Sequence, residues 1–147
     1  MSPANALTIA IDTPARHPFN PLALLRLAWA TAPGGATPSR FACETILQHV
    51  WSGGGDAEDP ARLAALRAQL APRLEPAGDE AKRRLRLATD DAIARGLFGV
   101  PTLGIDDKLF WGFDALEMAA AFARGDAWFG EAHWEREGAP RPGLTRT

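Results

Sequence analysis

The sequence has little of what redox, metal and membrane chemistry require. Cys43 is the one cysteine in 147 residues, so neither an internal disulfide nor a Cys-x-x-Cys pair can form, and a dithiol oxidoreductase is excluded. Its helical setting reads as a small buried hydrophobe. The three histidines, His17, His49 and His133, stand apart; none pairs with another at i, i+4, so they suggest neither a triad nor a metal site. No apolar run approaches bilayer-spanning length. Residues 1–6 lack a basic region before a long apolar stretch, so no secretory signal is expected and the location reads as cytoplasmic. No charge sign dominates either: 16 basic and 18 acidic residues leave a net charge of −2, which points away from nucleic acid and membrane surfaces as partners.

What is present suits one soluble globular domain. Hydrophobic residues make up 46% and charged residues 23%, enough for one sizeable core. Residues 1–125 read as the domain. Residues 126–147 read as a Pro-, Gly- and charge-rich tail, partly disordered, with Trp128, Phe129 and Trp134 packing it onto the body or a second subunit.

Along the chain, Leu7-Thr8-Ile9-Ala10-Ile11 alternates like a short strand ended by Asp12-Thr13-Pro14. A proline-rich linker leads to Asn20-Pro21, a cap and first position for a helix with Leu22, Leu25 and Trp29 on its inner face. A second helix starts near Thr37-Pro38, with Phe41, Thr45, Ile46 and Val50 or Trp51 inward. Ser52-Gly53-Gly54-Gly55 forms a loop, and Asp59-Pro60 opens a third helix that buries Leu63, Leu66 and Leu70. A fourth spans 79–95, buries Leu85, Ala88, Ala92 and Ile93, and stops at Gly96. Its basic run Lys82-Arg83-Arg84-Leu85-Arg86 reads as a solvated face. A hairpin over 102–105 and 108–111 follows. The last helix runs over 114–123, with Asp114 and Glu117 as a capping arrangement.

The segment Gly99-Val100-Pro101-Thr102 departs from ordinary strand chemistry. Proline at the head of a strand removes a ladder donor, which calls for a cis bond or a ligand. A cis Val100–Pro101 bond would turn the Val100 main chain outward as an edge for an extended peptide.

The run Gly96-Leu97-Phe98-Gly99-Val100-Pro101-Thr102, with Phe110-Trp111-Gly112-Phe113-Asp114 after it, resembles the C-terminal half of the 2-hydroxychromene-2-carboxylate isomerases. These are DsbA-like thioredoxin-fold proteins related to kappa-class glutathione transferases. The likeness extends to Arg16-His17-Pro18-Phe19-Asn20-Pro21 and covers roughly residues 7–125. It implies an α/β, thioredoxin-like fold with a helical insertion over about 20–95, lacking the first strand–helix unit. It also implies a cytoplasmic, homodimeric, glutathione-dependent isomerase acting on a small aromatic-derived substrate.

In that resemblance Val100, beside Pro101, pairs its main chain with the cysteinyl part of glutathione. Trp111, Gly112, Phe113 and Asp114 hold the γ-glutamyl end, where a carboxylate can meet the ammonium and a helix start the carboxylate. Asp114 also reads simply as an N-cap, and both roles can coexist. His17, Phe19 and Asn20 fall on the acceptor-substrate side, although their plain reading is a capped helix entrance. Two departures stand out. Ala115 replaces the arginine common after that aspartate, and the N-terminal serine that orients the glutathione sulfur has no counterpart: Ser2 is terminal, and Ser39 and Ser52 lie in the wrong context. No catalytic residue is therefore assigned. The alternative reading is a non-catalytic thioredoxin-like binding or dimerisation module with open strand edges.

Overall fold

A computed structural model describes residues 10–130. The chain divides into two units, Met1–Asp91 and Ala92–Thr147. Its elements are α1 (Leu22–Thr31), α2 (Arg40–Trp51), α3 (Pro60–Leu70), α4 (Asp79–Ala94), β1 (Thr102–Ile105), β2 (Lys108–Trp111), α5 (Leu116–Ala123) and a 3-10 turn (Ala127–Gly130). Among the described residues no helix is long and apolar enough to cross a membrane. Of the strand expected over 7–11, residues 7–9 lie outside the described residues, and Ala10 and Ile11 are irregular.

The first unit is built from local signals that largely act as read. The Ser39 hydroxyl accepts the Ala42 N–H at 3.2 Å, so α2 begins at Arg40 rather than at Thr37-Pro38. Asp59 accepts the Arg62 N–H at 2.8 Å, and Pro60 takes the first turn of α3, as expected. Asn20 accepts the Leu22 N–H at 3.1 Å, but the cap position itself is Pro21. The core joins Leu24 and Leu27 of α1, Ala42 and Val50 of α2, and Leu66 and Leu70 of α3. Phe19, Ile46, Trp51 and Leu63 pack against it.

Which face of each helix turns inward is partly different from the sequence reading. In α1 the buried residues are Leu24, Leu27 and Ala30, whereas Leu22 and Leu25 are exposed and Trp29 is half-buried. LALLRLAWAT carries apolar residues nearly all round, so its periodicity admits two inner faces, and packing chooses one. In α2 Phe41 is exposed while Ala42 is buried, and Cys43 is exposed rather than buried. α4 buries only Ala81; Leu85, Ala88 and Ala92 are half-buried, and Ile93 is exposed.

α4 is held by charge as much as by burial. The Arg84 guanidinium donates to Ala32 O and Pro33 O, closing carbonyls beyond the end of α1. Arg83 and Arg84 both bond Glu80 at 2.8 Å, so most of the basic run is a solvated, ion-paired face as expected. Hydrogen bonds from Arg83 and then Arg84 hold the Glu80 carboxyl down to about 2, from an ordinary 4.5. A depressed carboxylate stabilises the fold above its unfolded pKa, and the contribution is lost as pH falls through the folded one. Glu80→Gln should therefore melt slightly below the native chain at pH 7 and show a shallower fall in melting temperature between pH 4.5 and about 2, where the two curves converge. Parallel acid melting curves for the two proteins would refute this.

The second unit is a hairpin carrying a helix. β1 and β2 pair antiparallel, Thr102 opposite Trp111 and Ile105 opposite Lys108, with the boundaries expected. Their turn is Asp106-Asp107, with Asp106 left-handed at φ 52°. Phe110 is buried against Phe122 of α5, at 5.5 Å between ring centroids, and against Phe129, at 6.5 Å. Phe129 thus folds the start of the tail back, with Trp128 edge-on to it at 4.9 Å; Trp134 lies outside the described residues. α5 opens at Leu116, after Ala115, with no side-chain cap. Asp114 therefore does not cap it, because a turn bonding Leu116 N–H to Phe113 O intervenes.

Candidate functional site

The second unit brings its expected site residues together at the open end of the hairpin. α4 stops where Gly96 takes φ +77° and Leu97 N–H returns to Ala92 O. The chain then turns through Phe98 and Gly99, and the Val100–Pro101 bond is cis, as expected. The Thr102 hydroxyl donates to Gly99 O at 2.6 Å, and Gly112 N–H donates to Pro101 O at 2.9 Å. The second bond continues the β1–β2 register one residue beyond the strands, so it fixes Pro101 beside Gly112.

Two close approaches shape this end. A side chain at Gly99 would begin 2.5 Å from the Trp111 indole nitrogen, so the ring lies directly over that glycine. Phe98 flanks the same indole at 5.2 Å between centroids. Gly112 has φ +94°, a conformation that L side chains rarely adopt, and the Asp114 carboxylate occupies the space a Cβ would fill. Phe98 and Gly99 complete the framework around Trp111. The sequence contains both in its motif, but nothing in their spacing announces the contact with the indole.

What this framework leaves open is specific. Val100 is 88% exposed, and neither its N–H nor its C=O bonds to another described residue. Phe113 is 82% and Trp111 53% exposed. The Asp114 carboxylate is exposed and makes no hydrogen bond or ion pair among the described residues. Ala115 offers no charge beside it.

His17, Phe19 and Asn20 lie in the first unit, where their contacts are internal. The His17 ring sits 5.7 Å from Trp51 and 6.3 Å from Phe19, and the His17–Pro18 bond is cis. Phe19 packs on the core, and Asn20 bonds the α1 backbone. Ser39 caps α2 and Ser52 ends it, while Ser2 lies outside the described residues. His49 faces Ala57 O at 3.0 Å. Among the described residues no three His, Cys, Asp or Glu side chains gather as a ligand set.

Comparisons with known proteins agree with this architecture. Residues 4–123 match the DSBA-like thioredoxin domain family. The solved structure of a selenomethionine 2-hydroxychromene-2-carboxylate isomerase superposes with a TM-score of 0.62 at 22% identity, over 83% of this chain. That overlap covers 61% of the isomerase, and likeness at such identity shows a shared fold. No curated protein matches significantly. Among the described residues, five helices and a two-stranded sheet with a cis-proline loop ahead of the hairpin, together with a family match over most of the sequence, lead to one conclusion: the chain belongs to the DSBA-like thioredoxin domain family.

Proposed function

We propose that the hairpin end binds glutathione and serves an isomerase of the 2-hydroxychromene-2-carboxylate type, acting on a small aromatic-derived substrate. The observation that carries this reading is the Gly112 N–H to Pro101 O bond, which brings a main-chain edge at Val100 near the carboxylate of Asp114, both unpaired among the described residues. A tripeptide needs such a pair: a backbone to lie along and a counter-charge for its ammonium. Exposed Val100, Trp111 and Phe113 offer apolar surface on which its stem can rest. The residues present therefore fit the ligand. Bound glutathione would supply a thiolate nucleophile for the substrate's conjugated system. The chain's own part is binding and orientation: Val100 and Pro101 position the cysteinyl segment, and Trp111, Gly112, Phe113 and Asp114 hold the γ-glutamyl end. We assign no residue of this chain to activating the sulfur.

Asp114→Asn is the decisive substitution, because it keeps the shape and removes the charge. A charge-assisted hydrogen bond is worth about 1.5–3 kcal/mol, so calorimetric titration with reduced glutathione should show affinity falling by about tenfold or more. An unchanged affinity would remove Asp114 from the site. Failure of the native chain to bind glutathione at millimolar concentration would sink the reading.

A second reading rests on the same surface. Phe98, Val100 and Phe113 are each at least 80% exposed, and among the described residues β1 and β2 pair only with each other, features suited to dimerisation or a partner strand. Sedimentation separates the readings: a concentration-dependent dimer without glutathione binding or turnover favours the module, and a glutathione-binding chain that isomerises 2-hydroxychromene-2-carboxylate favours the enzyme.

A further inference from the structure

The first unit carries a surface that neither reading uses. Leu22, Leu25 and Arg26 lie three and four residues apart on α1, and Lys82, Leu85 and Arg86 repeat that spacing on α4. All six line one groove of about 330 Å³. Its apolar part is unusually open, with Leu22 and Leu25 each 43% exposed. Its charged part is unusually unpaired. Arg83 and Arg84 both bond Glu80, yet neither Arg26 nor Arg86 has a hydrogen bond or ion pair among the described residues. The Arg26 Nε is buried without an acceptor among the described residues. Lys82 is held only loosely by Asp79, at 3.7 Å.

We propose that this groove binds a small amphiphilic oxyanion: a carboxylate or phosphate head on an apolar body. Arg26 and Arg86 take the head, since guanidinium groups match the geometry of carboxylate and phosphate oxygens. Leu22, Leu25 and Leu85 cover the body. The volume is that of a small-molecule site. Asp90, the one acidic residue of the lining, repels a ligand charged along its whole length, which selects a single head group over an acidic peptide.

The test is calorimetric titration of the full chain with sodium octanoate, octyl phosphate and neutral 1-octanol. At least one anion should bind about tenfold more tightly than octanol, and more weakly as salt is added. Arg86 is exposed, so Arg86→Gln should leave the circular dichroism unchanged while weakening the anion by about tenfold, with Arg86→Lys in between. Binding of octanoate alone would assign a carboxylate ligand, and of octyl phosphate alone a phosphorylated one; either supports the site. Equal affinity for octanol, native affinity in Arg86→Gln, or no binding of either anion at millimolar concentration overturns it.

Discussion

Phe110→Ala should cost the second unit about 3–5 kcal/mol, the range for truncating a buried aromatic ring. The ring is 2% exposed and lies within 5.5 Å of Phe122 and 6.5 Å of Phe129 between centroids. Phe122 and Phe129 also meet edge-to-face at 5.2 Å, so removing Phe110 takes away the ring that both of them face. Among the described residues of this unit few others are buried: beyond Phe110 the core includes only Ala119. Such a loss is a large share of a domain's usual margin, and it should be felt locally. Hydrogen exchange should show the amides of β1 and β2 losing protection, while those of α2 and α3 keep theirs. Leu103, opposite Phe110 in the register and 41% exposed, provides the control. Its replacement by Ala should cost under about 1 kcal/mol, because much of its surface is already in water. Comparable losses at the two positions would mean that the aromatic cluster is not what holds the hairpin to α5.

Gly112→Val should cost about 2–3 kcal/mol and abolish glutathione binding together with it. Two independent penalties fall on one residue. At φ +94° a β-branched side chain is strained wherever it points. The Asp114 carboxylate also stands where the new Cβ would be, so the substitution must displace the group proposed to meet the ammonium. Escaping either penalty would turn the backbone and break the Gly112 N–H to Pro101 O bond. Gly34→Ala is the matching control, because nothing lies within 4 Å of its would-be Cβ; a surface change of that kind should stay within about 0.5 kcal/mol. The readout is denaturant unfolding beside a glutathione titration. A Gly112→Val protein with native stability and native affinity would show that the close approach has no bearing on the site.

The two substitutions also mark how far the sequence could be read. Gly112 and Phe110 both stand inside a motif whose hairpin boundaries were legible residue by residue, because turn chemistry and alternation act over a few residues. The Asp59 cap, Pro60 and the stop at Gly96 were legible for the same reason. The inner face of α1 was not. With apolar residues at 22, 24, 25, 27 and 29, periodicity permits either Leu22–Leu25–Trp29 or Leu24–Leu27–Ala30, and the choice depends on α2 and α3. Cys43 was read as buried from its residue type, yet the rotation of α2 that buries Ala42 and Thr45 turns it outward. Asp114 was read as a cap because an acidic residue preceded an apolar helix, but one extra turn separates it from α5.

By itself, then, the sequence determined the order of the helices and the hairpin, most of their ends, and the kinship to DsbA-like thioredoxin domains. All of these follow from short-range rules of capping, alternation and turn geometry, or from motif residues close together in the chain. Tertiary structure alone decided which stripe of each helix is buried, that the Trp111 ring lies over Gly99, and that among the described residues Asp114 keeps a free carboxylate and Arg26 and Arg86 share a groove without partners. Those features depend on contacts between residues distant in sequence or on the rotation of a whole helix. Hydrophobic burial is non-directional, so it fixes a rotation only once the neighbouring surfaces are in place.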